Sequence, residues 1–199
     1  TVSSATPLDD IFTIENKITD GTDDASNGLV RLVAGQVYAT ASKNNIQNAA
    51  DVASNGDTVK VQDGSYTLAG EFDITKSLTL KGQSEGGVDI TSNSTGYGIN
   101  VTADNVSLQN FTYHGPTGTG STYGIKVTPD TGVASDRLLS FDIENVTIDR
   151  GYRTGLDLNG VDGATIKNVS VSNIVHGNGI ALTDSANVTI TGSTTTNNA

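Results

Sequence analysis

Apolar and polar residues alternate along most of this 199-residue chain, but only over short stretches before a Gly, Asn or Asp interrupts the pattern. Alternation with a period of two is typical of a β-strand that buries one face. An amphipathic helix needs a longer segment with a period near 3.6 residues, and the interrupted stretches leave no room for one. The pattern therefore predicts many short strands joined by turns.

Two markers recur along the chain and indicate structural repeats. The first is an Asn that follows Leu or Ile by two positions and precedes Val or Phe; it occurs at Asn110, Asn145 and Asn168, with Gly192 in the equivalent place later. The second is a Gly followed by Ile or Leu, at Gly98, Gly124, Gly155 and Gly179. Both markers recur every 23 to 35 residues, an interval typical of repeat architectures.

A coil of stacked repeats explains these features best. Each repeat contains two or three strands, and the repeat is too short for them to fold back as hairpins. Pairing each strand in parallel with its equivalent in the next repeat produces a β-helix. We expect Val, Ile and Leu to point into the coil and Thr, Ser, Asp and Lys to point outward.

The recurring asparagines are predicted to lie at corners of the coil. Asn tolerates the left-handed backbone conformation that a corner requires, and its amide can hydrogen-bond the equivalent Asn of the next coil. We therefore expect Asn110, Asn145 and Asn168 to form a ladder, with Gly192 replacing the Asn in the last coil.

One segment carries a family resemblance. The stretch from Asn45 to Tyr66, NIQNAADVASNGDTVKVQDGSY, followed by KSLTLKG at 76–82, resembles the entry segment of the pectin-lyase-like superfamily. The resemblance covers residues 29–199 and implies an all-β, right-handed, single-stranded parallel β-helix closed at its N-terminal end by a short amphipathic helix. Ser42 is expected to cap that helix, whose apolar face is predicted to contain Ile46, Ala49, Ala50 and Ala53. The superfamily includes lyases, hydrolases, epimerases, phage tailspikes and adhesins, so the resemblance predicts a fold and not an activity.

The chain is predicted to divide into two parts. Residues 1–56 would hold an N-terminal strand at Phe12–Ile14, an acidic loop and the capping helix, and residues 57–199 would form the coils. The repeats continue to the last residue without a second amphipathic cap. Since an uncovered coil exposes unpaired backbone groups, we expect further domains or subunits to stack on the C-terminal end.

The charge balance narrows the range of partners. The chain has 22 acidic and 11 basic residues, a net charge of −11 and no Cys. Such a charge disfavours nucleic acid as a ligand, and an acidic polysaccharide would need a local basic patch. No apolar run approaches the ~20 residues of a membrane span.

The repeat spacing predicts one outward patch of chemically useful side chains. Asp149, Tyr152, Arg153 and His176 are expected to lie on neighbouring coils, with Tyr123 and His114 as further members. His176 or Tyr152 would serve as a base, and Arg153 or Lys126 would neutralise a uronate carboxylate. The alternative is that these residues only cover the solenoid surface, because neither the Arg-x-Pro-x-x-Arg stretch of the lyases nor the paired Asp residues of the hydrolases occurs.

The acidic loop offers a candidate calcium site. Asp20, Asp23 and Asp24 place hard oxygen ligands close together, and Gly21 permits a tight turn, but the loop does not match an EF-hand. A solvated acidic loop is the alternative interpretation.

Three functions remain open at this point. The first is an extracellular or cell-surface module of an adhesin or fibre that binds a polysaccharide, a cell-surface glycan or a neighbouring protein through its lateral face, without catalysis. The second is a polysaccharide lyase or epimerase. The third is a trimeric protein similar to a phage tailspike.

Overall fold

The computed structural model describes residues 2–116, 122–129 and 136–199. Its helices are α1 Leu8–Glu15 and α2 Ile46–Val52. Its strands are β1 Gln36–Ala39, β2 Thr58–Val61, β3 Gly64–Leu68, β4 Phe72–Ile74, β5 Thr79–Gly82, β6 Val88–Ser92, β7 Tyr97–Val101, β8 Val106–His114, β9 Tyr123–Val127, β10 Leu138–Gly151, β11 Thr154–Asn159, β12 Val161–Ile174, β13 Asn178–Thr183, β14 Ala186–Thr191 and β15 Thr194–Thr196.

The strands form a parallel solenoid of about six turns, as the repeats predict. The turns are β2–β4, β5–β7, β8–β9, β10–β11, β12–β13 and β14–β15, and β1 pairs with β2 ahead of them. Equivalent strands of successive turns pair in parallel, producing a ten-stranded sheet and a five-stranded sheet with the order β13-β11-β9-β7-β4. Lateral surfaces of this solenoid consequently present one residue per turn at a spacing of about 4.8 Å.

Inward aliphatic side chains stack in columns through the solenoid. One column contains Val59, Leu80, Leu108, Ile143 and Ile166, which are neighbours by strand register and fully buried. The predicted inward and outward alternation is confirmed along these strands. Each turn therefore supplies both the hydrogen-bonding edge and the apolar floor for the next one.

The asparagine ladder is also confirmed. Asn110, Asn145 and Asn168 have φ angles of 59°, 55° and 52°, and Gly192 continues the column with a φ of 61°. The Asn145 amide donates to Asn110 Oδ1 at 3.2 Å, and the Asn168 amide donates to Asn145 Oδ1 at 3.1 Å. The ladder satisfies polar groups where the chain turns without breaking the long strands β8, β10 and β12.

Two further columns of left-handed residues accompany the ladder, and the sequence interpretation missed them. By strand register, one contains Asn105, Ser140, Gly163 and Asn187, and the other contains Arg150, Asn173 and Asn197. Their residue types differ from turn to turn, so they leave no repeated letter in the sequence. The left-handed backbone conformation therefore recurs in each turn, while the residue type at that position changes.

The second marker, the recurring glycine, results from close packing across the solenoid. A Cβ at Gly98 would lie 1.7 Å from Tyr113 Oη, and one at Gly155 would lie 2.2 Å from Val171 Cγ1. Both positions therefore exclude any side chain. The marker glycines thus lie where an inward side chain of the ten-stranded sheet occupies the space next to the backbone of the five-stranded sheet.

Helix α2 covers the N-terminal end of the coil. Its predicted apolar residues are buried, but Ser42 does not cap it, because the helix begins at Ile46 and the Ser42 hydroxyl donates instead to Asn16 Oδ1. Two side-chain amides then occupy exposed strand edges. Asn44 exchanges two hydrogen bonds with the backbone of Thr67 in β3, and Gln47 exchanges two with that of Asp73 in β4.

The predicted N-terminal strand at Phe12–Ile14 is wrong, since these residues lie within helix α1. Buried Ile11 and Phe12 form one face of the helix, and the Phe12 ring meets the Tyr38 ring edge-on at a centroid distance of 5.8 Å. The three residues from Phe12 to Ile14 are too few to distinguish a strand from a helix. Tyr38, which packs against Phe12, lies outside this segment, so the segment alone did not reveal the helix. Helix α1 thereby covers the outer face of β1.

The C-terminal end of the coil is open in the part of the chain that the structure describes. Strands β13, β14 and β15 each pair only with the preceding turn. Leu182 is 46% exposed and Ile190 is 45% exposed, although both continue columns that are buried in the earlier turns. Stacking of another domain or subunit on this end remains a prediction.

Candidate functional site

The half-exposed tyrosines of this protein lie together on one lateral face. Of the ten Tyr and Phe rings, seven are buried in the solenoid or under α1. The other three are Tyr97, Tyr123 and Tyr152, each partly open to solvent. They belong to consecutive turns of the solenoid, at or just before the start of β7, β9 and β11.

Tyr97 and Tyr123 are register partners and touch each other. Their ring centroids are 5.4 Å apart in an edge-to-face arrangement. The Arg153 guanidinium of the next turn lies over the Tyr123 ring, with its Cζ 5.6 Å from the ring centroid. These contacts join three turns into one continuous surface. We call Tyr97, Tyr123, Tyr152, Arg153 and His176 the tyrosine–arginine row.

The row ends toward the C-terminus at Tyr152 and His176. The His176 backbone N–H donates to Tyr152 O at 2.8 Å, and the two rings meet edge-to-face with centroids 4.7 Å apart. The sequence spacing placed His176 above Arg153; its ring instead contacts Tyr152, while Arg153 extends toward Tyr123. His176 therefore lies one turn above Tyr152, and within the described ranges no contact joins its side chain to that of Arg153.

Arg153 differs from the other arginines in lacking a carboxylate partner among the described residues. Arg31 pairs with Asp57, Arg137 with Asp184 and Arg150 with Asp149. Arg153 is exposed and contacts only an aromatic ring. Its charge is therefore available to an anionic group that approaches the row.

Lys126 packs against the Tyr123 ring of the row but, unlike Arg153, already pairs with a carboxylate. Its ammonium lies 2.7 Å from Asp157 Oδ2 and 5.4 Å from the centroid of the Tyr123 ring. Lys126 is 6% exposed and Asp157 is 7% exposed, although both point away from the solenoid interior. The pair fixes β9 to β11 at the position where Tyr123 and Arg153 meet.

Asp149 lies in a separate hydrogen-bonded cluster with His114. Its Oδ1 accepts bonds from Asn173 and Ser172, and its Oδ2 lies 3.3 Å from His114 Nδ1 and 3.2 Å from Arg150 Nε. Partial burial raises the pKa of Asp149, but the hydrogen bonds outweigh it and hold the pKa below its usual value. Asp149 is thus a carboxylate that organises its neighbours, and no contact joins it to the row.

The predicted calcium residues are occupied by bonds within the loop and to residues beyond it. Asp20 accepts bonds from Thr22 and from the Val30 backbone, Asp23 pairs with Lys43 at 2.8 Å, and Asp24 binds Ser26. Within the described ranges, no three His, Asp or Glu side chains are arranged to hold one ion. Calcium binding at this loop stays a prediction.

Glu15 adds a buried carboxyl to the same region, and the sequence interpretation missed it. It is 1% exposed, and its partner is the Thr22 hydroxyl at 3.5 Å. Burial and the neighbouring Asp20 raise the pKa of Glu15 to about 7. The Lys43 ammonium that lies nearby bonds the Glu15 backbone carbonyl and Asp23 rather than this carboxylate.

A cleft of about 270 Å³ opens between α2 and the turn that joins β3 to β4. Asn44, Gln47 and Asn48 form one wall, and the turn from Thr67 to Glu71 forms the other. The Glu71 carboxylate also accepts the backbone N–H of Tyr97 at 3.3 Å. The cleft therefore adjoins the N-terminal end of the tyrosine–arginine row.

The glycine marker contained a signal for these contacts. Tyr97 and Tyr123 each stand one residue before a marker glycine, and Lys126 and Asp157 each stand two residues after one. Aligning the repeats on that marker would have brought both pairs together. The cleft lacked such a signal, because Glu71 occupies the glycine position in the first turn.

The described residues contain no helix long and apolar enough to span a membrane. In sequence comparisons, no curated protein matches the chain. Residues 27–199 match the family model described as the right handed beta helix region. This match and the parallel solenoid confirm the fold that the Asn45–Tyr66 segment implied. The chain belongs to the right-handed β-helix family.

Proposed function

We propose that this chain is an extracellular or cell-surface module that binds polysaccharide through the tyrosine–arginine row. The observation that carries the proposal is the run of contacts from Tyr97 to Tyr123 and from Tyr123 to Arg153, the one arginine that lacks a carboxylate partner in the described structure. Side chains that only cover the solenoid surface would be expected on several of its faces, whereas a binding site requires them on one face.

The chemistry of the row suits a sugar chain. A tyrosine presents an electron-rich face to the C–H groups of a sugar ring, and its hydroxyl remains free to bond sugar hydroxyls. Residues on successive turns lie about 4.8 Å apart, so a chain running along the solenoid axis would meet a new side chain at each turn. Arg153 would favour a sugar that carries a carboxylate or sulfate group.

Affinity measurements against a polysaccharide panel test this proposal. Alginate, hyaluronan, xylan and dextran would be compared by isothermal titration calorimetry. Tyr123→Ala should weaken binding about tenfold or more, equivalent to ~1.4 kcal/mol, and Arg153→Ala should weaken binding of the anionic polymers selectively. Leu139→Ala, at an exposed residue, and Arg137→Ala, at a partly exposed one, are matched controls outside the row. Equal binding by Tyr123→Ala and the wild type would refute the proposal.

A lyase or epimerase acting on the same polymer is the second candidate. Tyr152 and His176, whose rings touch, are groups able to accept a proton, and Arg153, the residue after Tyr152, would neutralise a uronate carboxylate. From alginate, a lyase would form a product with unsaturated ends that absorb in the ultraviolet, and an epimerase would form a product with an altered ratio of its two uronates, measured by nuclear magnetic resonance. His176→Ala would abolish formation of either product. Binding without product favours the non-catalytic module.

The last two turns also present an apolar surface that suits a second subunit of a fibre or adhesin. Leu182 is 46% exposed and Ile190 is 45% exposed, and a subunit that packs on them would bury both side chains. Leu182→Lys/Ile190→Lys should then abolish any concentration-dependent association seen by light scattering. Antibody labelling of intact source cells would test exposure at the cell surface.

A further inference from the structure

The tyrosine column of the proposed binding face continues by one more turn into the cleft beside α2. Phe72 pairs with Ile99, and the Tyr97 backbone N–H bonds the Glu71 carboxylate, so Gly70 lies next to the residue of the preceding turn that contacts Tyr97. Gly70 has no side chain, and it lines the cleft. A ligand lying on Tyr123 and Tyr97 would therefore reach an open space in the next turn.

Helix α2 closes this path. The cleft wall formed by Asn44 and Gln47 is held in place by the four hydrogen bonds that these amides exchange with Thr67 and Asp73. Ile46 anchors the same wall from within the core, where it is fully buried. A polymer that follows the row toward the N-terminus would meet a fixed wall and could not continue past it.

The cleft is equipped for hydroxyl groups rather than for a charged group. The Glu71 carboxylate and the side-chain amides of Asn44, Gln47 and Asn48 surround it, and Leu68 and Ala69 contribute apolar surface. The Gln47 NH2 group already donates to Asp51 and Asp73, but Asn44 and Asn48 each make fewer bonds than their amides allow and retain capacity for a hydroxyl. No Lys or Arg lines the described walls, so the anion-binding capacity stays with Arg153 in the row.

We propose that the cleft is a subsite for the terminal sugar of the bound polysaccharide, so that the module recognises chain ends. This inference rests on the proposed function, since it places the end of a ligand whose body lies on the tyrosine–arginine row. Tyr97 stands at the junction, because its backbone N–H bonds Glu71 and its ring contacts Tyr123. A chain end fills the cleft, and the units behind it lie on Tyr97, Tyr123 and Arg153.

The structure offers a substitution that fills the cleft without disturbing the fold. A Cβ placed on Gly70 would meet no atom within 4 Å, and Gly70 has no positive φ. Gly70→Leu should therefore fold normally while occupying the space of the terminal sugar. Gly28→Leu is the matched control, because Gly28 is equally open and lies outside the cleft. Unchanged melting temperatures would confirm that both variants are folded.

The experiment measures stoichiometry against chain length by isothermal titration calorimetry with short and long fractions of alginate, hyaluronan and dextran. Recognition of ends predicts the same number of protein molecules per chain for both fractions, and a loss of affinity of about tenfold or more in Gly70→Leu but not in Gly28→Leu.

Saturation that rises in proportion to chain length, or unchanged binding by Gly70→Leu, would overturn the inference. If Tyr123→Ala loses binding while Gly70→Leu retains it, the row binds but the cleft does not. If no fraction binds wild-type protein, the proposed function and this inference both fail.

Discussion

Asn145 bonds Asn168 of the following turn while its own amide bonds the preceding turn, and both residues hold left-handed backbones with φ near 55° and 52°. One side chain therefore contributes two hydrogen bonds and permits a backbone bend that most residues resist. Loss of Asn145 should affect three turns at once.

Asn145→Ala should lower the free energy of unfolding by about 2 to 4 kcal/mol. The estimate combines two lost hydrogen bonds at about 1 kcal/mol each with about 1 kcal/mol or more for Ala in the left-handed region. Urea unfolding followed by circular dichroism measures it. The exposed Asn93→Ala serves as control. A change in Asn145→Ala no larger than in the control would show that the ladder does not stabilise the coil.

Gly155→Ala should destabilise the protein through overpacking. The added Cβ would lie 2.2 Å from Val171 Cγ1 and 2.8 Å from the backbone oxygen of Gly179, and the backbone oxygen cannot move aside cheaply. Overpacking of this kind costs about 1 to 3 kcal/mol. Gly28→Ala, in open space, should change the same unfolding curve little. Equal stability of the two variants would contradict the packing explanation of the glycine marker.

Lys126→Met should cost about 3 to 5 kcal/mol, because it leaves Asp157 buried without a partner. Removing both charges in Lys126→Met/Asp157→Leu should restore most of that stability. A double-mutant cycle in chemical unfolding measures the coupling between the two side chains. If Lys126→Met alone is as stable as the wild type, then the pair is not the support of Tyr123 that its geometry indicates.

Glu15 should make the protein more stable at pH 5 than at pH 8. Its folded-state pKa is raised from 4.5 to about 7, so the folded state retains a proton that the unfolded state loses between these values. The contribution of protonated Glu15 to the free energy of unfolding is fully present below the unfolded-state pKa. It declines as the pH rises toward 7, by up to about 3 kcal/mol. Asp20, Asp23, Lys43 and Tyr38 are the ionisable groups that face it.

Glu15→Gln isolates this effect from other titrations. The variant cannot ionise, so its stability relative to the wild type should increase between pH 5 and pH 8. Thermal unfolding at both pH values measures the difference. A constant difference between the variant and the wild type would show that Glu15 does not titrate in this range.

The coil could be predicted from the sequence because each turn needs the same residue types at its corners and in its core, so these residue types recur along the chain. Asn110, Asn145 and Asn168 are the same residue in the same environment, and the inward aliphatics recur with them. The tyrosine–arginine row was only partly predicted, because the repeat spacing brought Arg153 and His176 together but did not include Tyr97 in the patch. Helix α1 was missed because its partner Tyr38 lies outside the run that was read. The cleft beside Gly70 could not be predicted, since it depends on where α2 begins and not on any repeated residue.

Hydrogen exchange with and without a bound polysaccharide tests the central claim most directly. Slower amide exchange is expected at the starts of β7 and β11, around Tyr97 and Thr154, and in the turn that contains Gly70. Exchange in the ten-stranded sheet, at Val59 in β2 and Ile143 in β10, should stay the same. Protection of β2 and β10 without protection around Tyr97 would show that the polysaccharide binds elsewhere and would contradict the account.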